Sequence, residues 1–88
     1  MLYFFYGDGC PHCHVVMPVV DKLIAEGFKI EKLETWNNDE NAKLAEQKDH
    51  GRCGGVPFFL NEESNQFICG SKDEETIRTW ASGGEVKE

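Results

Sequence analysis

The chain has 88 residues, 40% hydrophobic and 28% charged, and nine Lys and Arg stand against sixteen Asp and Glu for a net charge of −7. That length makes one small domain over residues 1–88 with no room for a second core, and the charge excludes the basic face that a nucleic-acid binder needs. No apolar run approaches the ~18 residues of a membrane span, and no basic stretch followed by an apolar stretch marks a secretory leader. The expectation is therefore a cytoplasmic monomer without nucleic-acid or membrane partners.

Leu2-Tyr3-Phe4-Phe5-Tyr6 is continuously apolar and aromatic, the pattern of a strand buried on both faces. Gly7-Asp8-Gly9 is a turn. A helix starts at Pro11, because proline lacks only an amide that would be unpaired there. Val16, Val19, Val20, Leu23 and Ile24 form its apolar stripe, Pro18 is expected to kink it, and Gly27 ends it. Phe28 to Thr35 reads as a second strand with imperfect alternation. Asn38 caps a helix over 39–49 that turns Ala42, Leu44 and Ala45 inward. After the breaks at Gly51 and Gly54-Gly55, Val56 to Leu60 reads as a third strand. The polar turn Glu62-Glu63-Ser64-Asn65 leads into a fourth, Gln66 to Cys69. Ser71-Lys72-Asp73-Glu74 has capping-box spacing, and a last helix over about 72–82 buries Ile77, Trp80 and Ala81. It stops at Gly83-Gly84, and 83–88 is expected to fray. The order is β-α-β-α-β-β-α. Its first unit implies a parallel pair with a right-handed crossover, and its last two strands imply an antiparallel hairpin.

Four cysteines are fewer than a disulfide-stapled secreted domain usually carries. Cys10 and Cys13 form a C-x-x-C pair, whereas Cys53 and Cys69 stand alone, a pattern of redox or metal chemistry. The pair lies where a strand hands over to a helix. Unpaired amides and the partial positive charge of a helix start stabilise an anion there, which favours a thiolate nucleophile at Cys10. His12 adds to this if it is protonated or donates a hydrogen bond, and Asp8 opposes it if it lies close. Cys13, one turn on, can attack a mixed disulfide and release the product.

Cys10-Pro11-His12-Cys13 after an aromatic strand, Pro18 eight residues beyond the first cysteine, Val56-Pro57 opening a strand, and a Gly70-Ser71 turn before a last helix together resemble the thioredoxin superfamily. At this length the chain resembles a glutaredoxin. The likeness spans about residues 2–82. It implies an α/β, thioredoxin-like fold with a four-stranded mixed sheet in order 2-1-3-4 flanked by helices, and a cis Val56-Pro57 bond facing the cysteines. It implies Cys10 as the attacking cysteine, Cys13 as the resolving one, and Pro11 and His12 as parts of the catalytic tetrad. Val56 and Pro57 would hold the substrate, with Gly70, Ser71, Lys72 and Asp73 where glutaredoxins hold the γ-glutamyl end of glutathione. The implied activity is thiol:disulfide exchange on protein or glutathione mixed disulfides. No cofactor is permanently bound, and glutathione or a thioredoxin-reductase-type donor supplies electrons. Three departures stand out: Gly9 precedes Cys10 where thioredoxins have Trp, the first strand holds no Asp where they have their proton acceptor, and Cys69 replaces the first glycine of a glutaredoxin Gly-Gly pair.

The alternative is a metal-binding module, for Zn or Fe-S, using Cys10, Cys13 and Cys53. Cys53 is either a small residue of a glycine-rich loop or an approach to the Cys10-Cys13 pair. Cys69 reads as a core strand residue, Trp36 and Trp80 as core or half-buried, and His14 as a solvated helix residue.

Overall fold

A computed structural model describes residues 1–86. Five consecutive apolar residues cannot leave either side of a strand in water, so β1 (Leu2–Tyr6) lies inside the sheet with a helical layer on each face. α1 (Pro11–Ala25) crosses to β2 (Ile30–Glu34), which runs parallel to β1 with Leu2 opposite Ile30. α2 (Asp39–Asp49) leads to β3 (Phe58–Asn61), antiparallel to β1 with Phe4 opposite Phe59. β4 (Gln66–Cys69) completes the hairpin, and α3 (Glu74–Ala81) closes the fold. The sheet order is β2-β1-β3-β4, as the resemblance implies.

Alternate residues serve opposite layers. Phe4, Phe59 and Ile68 pack with Val16, Val20, Leu23, Ile77 and Trp80, so α1 and α3 cover one face. Phe5, Phe58 and Leu60 pack with Leu33, Leu44, Ala45 and Val56 under α2. Phe4 stacks on Phe59 at 4.7 Å, and Phe59 meets Trp80 edge-on at 5.2 Å. Buried Asn61 donates to the Trp80 carbonyl at 3.0 Å, and its own oxygen accepts from Glu63 and Ser64, so one side chain secures both hairpin and helix. Exposed ion pairs from Arg78 to Glu26 and from Lys22 to Glu74 join the end of α1 to α3, and Arg78 also pairs with Glu74 within α3. Each such surface pair contributes roughly 0–1 kcal/mol.

The element ends show where local chemistry differs from the sequence reading. α1 runs on through Pro18 to a left-handed Gly27, whose amide bonds Ile24 while that of Phe28 bonds Leu23. Phe28 is spent in this helix-ending wrap, so β2 begins at Ile30 instead. β3 begins at Phe58 and not Val56, since Pro57 has no amide for the ladder. α3 starts later than 72 because Asp73, not Ser71, is the cap; its carboxylate accepts from Thr76 at 2.9 Å. Within the segment expected to fray, Gly83 and Gly84 bond back to Trp80 and Thr79, and the Val86 amide donates to Gln66. Residues 87–88 of that segment lie outside the described residues. No described helix is long and apolar enough to cross a membrane.

Trp80 is fully buried, and its Nε1 has no hydrogen-bond partner among the described residues. Its contribution is therefore volume and apolar contact. Trp80→Ala is expected to destabilise by about 3–5 kcal/mol, and Trp80→Phe by clearly less, since no hydrogen bond is lost. Denaturant midpoints at unchanged slope check this; equal losses in the two variants would contradict it.

Candidate active site

The site begins where β1 ends. The Cys10 amide bonds the Gly7 carbonyl at 3.0 Å, closing the turn that aims Cys10 at the start of α1. Cys10 is the N-cap, and its sulfur accepts from the Cys13 amide at 3.3 Å. Pro11 takes the first helical position and is exposed. Cys10 and Cys13 are both free thiols and both buried. Burial, then a hydrogen bond to Cys10, push the Cys13 thiol up to about 12. The two sulfurs are thus unequal: Cys13 keeps its proton at neutral pH, while Cys10 receives an amide aimed at its sulfur.

Val56 comes to Cys10 from the other side. The Cys10 sulfur lies 4.0 Å from the Val56 carbonyl, and the Val56-Pro57 bond is cis. Gly70, in a left-handed conformation, donates to the Pro57 carbonyl at 2.9 Å and so sits directly behind the proline. Ser71, Lys72 and Asp73 continue exposed from there, and Asp73 is committed to capping α3. Beside Val56, a cleft of about 660 Å³ opens between α2 and the loop before Pro57, lined by Trp36, Ala45, Asp49, Gly54, Val56 and Phe58 among others.

Two carboxylates organise the loops around this cleft. Glu34, at the end of β2, accepts from the amides of Asp8, Trp36 and Asn37 at 2.9, 2.9 and 2.8 Å. Desolvation works against its charge, but the three amides prevail and hold its carboxyl below the ordinary 4.5. Trp36, expected in or near the core, is 57% exposed. Its indole lies flat against Gly7 and Gly9, and a β-carbon at Gly7 would overlap the ring. A tryptophan from the β2–α2 loop therefore covers the turn in which Gly9 replaces the tryptophan of thioredoxins. Asp49 performs the matching task across the cleft, accepting from the amides of Cys53 and Gly54 at 2.6 and 2.7 Å.

Sequence reading missed one covalent feature. Cys53 and Cys69 form a disulfide, with Cα atoms 5.4 Å apart. Cys53 therefore does not join the Cys10-Cys13 pair, and Cys69 is exposed at the end of β4, not a core residue. The metal-ligand set of Cys10, Cys13 and Cys53 is not assembled, because the third sulfur is bonded elsewhere. Among the described residues no three His, Cys, Asp or Glu side chains converge to hold an ion. The available signal was strand parity: Cys69 follows Phe67 on the face that α2 and the Cys53 loop cover. His14 is exposed as expected, but its Nε2 lies 2.6 Å from the Asp8 carbonyl and braces the turn. His12 is exposed on the first turn of α1.

No protein-family model matches the chain, and no curated protein sequence matches it significantly. Structural comparison does find similar folds. The chain is similar to the crystal structure of a glutaredoxin from Archaeoglobus fulgidus, with a TM-score of 0.66 over 90% of this chain and 83% of that one. The fold is thioredoxin-like. At 18% identity the likeness is one of architecture, and the chemistry of this chain rests on its own residues.

The unequal sulfurs imply an order of reaction. Near neutral pH an alkylating reagent is expected to modify Cys10 before Cys13 in the folded chain, as peptide mass mapping would show; preferential labelling of Cys13 would contradict the assignment. Glu34 implies a pH effect. Its folded-state pKa is lowered, so its contribution is complete above the ordinary carboxyl range and is lost as pH falls through the lowered value. In a Trp80→Phe background, Trp36 emission should change on acidification below about pH 4.5, and Glu34→Gln should abolish that transition. An identical transition in Glu34→Gln would assign it to another group.

Proposed function

We propose that the chain is a thiol:disulfide oxidoreductase acting through Cys10 and Cys13. The observation that carries this reading is the position of the Cys10 sulfur, held at a helix start by the Cys13 amide and 4.0 Å from the Val56 carbonyl. An extended substrate segment running beside Val56 brings its disulfide to Cys10. The Cys10 thiolate attacks one substrate sulfur and expels the other as a thiolate, leaving a mixed disulfide. Cys13 then loses its proton and attacks the Cys10 sulfur. This forms the Cys10-Cys13 disulfide and releases the second substrate thiol.

The raised Cys13 thiol supports this division of labour, because a protonated resolving cysteine does not compete for the first attack. His12 stands in the first turn, where a charge or an N–H adds to the field of the helix start. The substrates are disulfides of proteins or glutathione mixed disulfides, with Val56, Pro57, Gly70 and Ser71 as the substrate-holding segments. Glutathione or a reductase of the thioredoxin-reductase type returns the pair to the dithiol, with no permanently bound cofactor. The chain acts as a monomer in a cytoplasmic setting.

Cys13→Ser is expected to accumulate a mixed disulfide on Cys10, resolved by intact mass before and after reductant. Cys10→Ser is expected to reduce exchange to background. Full exchange in Cys10→Ser would overturn the reading.

A further inference from the structure

The Cys53-Cys69 bond lies at the site's edge and joins its two arms. Cys53 begins the irregular segment Cys53–Val56, which ends at the residue beside Cys10. Cys69 immediately precedes Gly70, whose amide holds the Pro57 carbonyl. One covalent bond therefore ties the loop before Pro57 to the turn after β4. The segment has little else to order it. Gly54 and Gly55 follow Cys53, Gly54 is left-handed, and neither a helix nor a strand includes them. The segment's other fastenings include the Asp49 carboxylate on two amides, the apolar packing of Val56, and Arg52, which bonds the Asp49 and Lys48 carbonyls and lies 4.4 Å from the centre of the Phe67 ring. Cys69 is exposed and Cys53 half-buried, so a thiol from solvent reaches this disulfide without unfolding the core. Exposed disulfides are the more readily reduced ones, and a reducing compartment does not preserve them passively.

We propose that Cys53-Cys69 is a second thiol–disulfide exchange site, one that takes small thiols of the glutathione class and sets the order of the substrate groove. A small thiolate attacks the sulfur of the exposed residue Cys69. The Cys53–Cys69 bond breaks as the new bond to Cys69 forms, and Cys53 leaves as a thiolate that takes a proton from water. A second small thiolate attacks the small-molecule sulfur of that mixed disulfide and frees Cys69. Two small thiols are oxidised to one disulfide, and the protein gains two thiols. Opening frees the Cys53 end of a glycine-containing segment whose other end stays fixed at Pro57 through Gly70, so the backbone leading to Val56 gains freedom beside Cys10. The effect on substrate rests on the reading of Val56 and Gly70 as substrate-holding residues; the exchange itself does not.

The test separates the two. Cys10→Ser/Cys13→Ser protein is equilibrated across ratios of reduced to oxidised glutathione, alkylated for thiol counting by mass, and followed in parallel by amide hydrogen exchange. The expected result is that Cys53 and Cys69 open together in the folded chain. The amides of Cys53 and Gly54, bonded to Asp49 in the closed form, should lose protection by about tenfold or more, while those of Phe4 and Val20 keep theirs. In chains with Cys10 and Cys13 intact, Cys53→Ser/Cys69→Ser should raise KM for a peptide disulfide several-fold, with kcat within about twofold. Opening only on global unfolding would overturn the proposal and leave a structural staple. Opening without change in protection, or an unchanged KM, would overturn the control of the groove. Absence of any exchange at Cys10 would instead sink the oxidoreductase reading, while thiol count and protection still decide the second site.

Discussion

A strand with apolar side chains at five successive positions is the constraint on which this molecule depends. β1 cannot be an edge strand and cannot have a wet face, so it needs strands on both sides and helices above and below. The parallel pairing with β2 then requires a crossover helix over one face. That helix must begin at the carboxyl end of β1, and Cys10 stands at this junction. The position of the reactive sulfur follows from the packing of aromatic rings some distance below it.

The loops around that junction are held differently, by carboxylates that gather backbone amides. Glu34 collects three from two loops, and Asp49 collects two from the segment before Val56. A carboxylate in this role substitutes for secondary structure: it satisfies donors that would otherwise need water, and it fixes the paths of chains too irregular for a ladder. Each stands at one side of the cleft beside Val56, so the groove is framed by side chains whose charge is part of the architecture.

Much of this was legible in the sequence. The aromatic run, Pro11 at a helix start, the glycine breaks and the polar turn at 62–65 placed all seven elements in order, because each reports a local backbone preference. The C-x-x-C spacing placed two sulfurs on one turn. What escaped was tertiary. The Cys53-Cys69 bond joins a loop to a strand end; parity places Cys69 on one face of β4, but local pattern does not say which loop folds over that face. Trp36, read as core or half-buried, lies outside, its ring covering the bare backbone of Gly7. The cap of α3 lies two residues later than the capping-box spacing at Ser71 suggests, because the Asp73 carboxylate accepts from the Thr76 amide.

The sheet ends in two open edges, β2 and β4, and their treatment has a consequence for behaviour at high concentration. β2 carries Glu31 and Lys32, the latter paired with Asp21, so a second copy approaching this edge meets fixed charges. β4 is only four residues long. Arg52 lies over its Phe67, Val86 is bonded to its Gln66, and its last residue is covalently anchored. Neither edge offers a long, flat, apolar run of unpaired amides, the template on which strands of separate molecules join. A sheet with so aromatic a centre is thereby kept from propagating sideways, and dense solutions of the folded chain should resist fibrous self-association for reasons that lie at its margins.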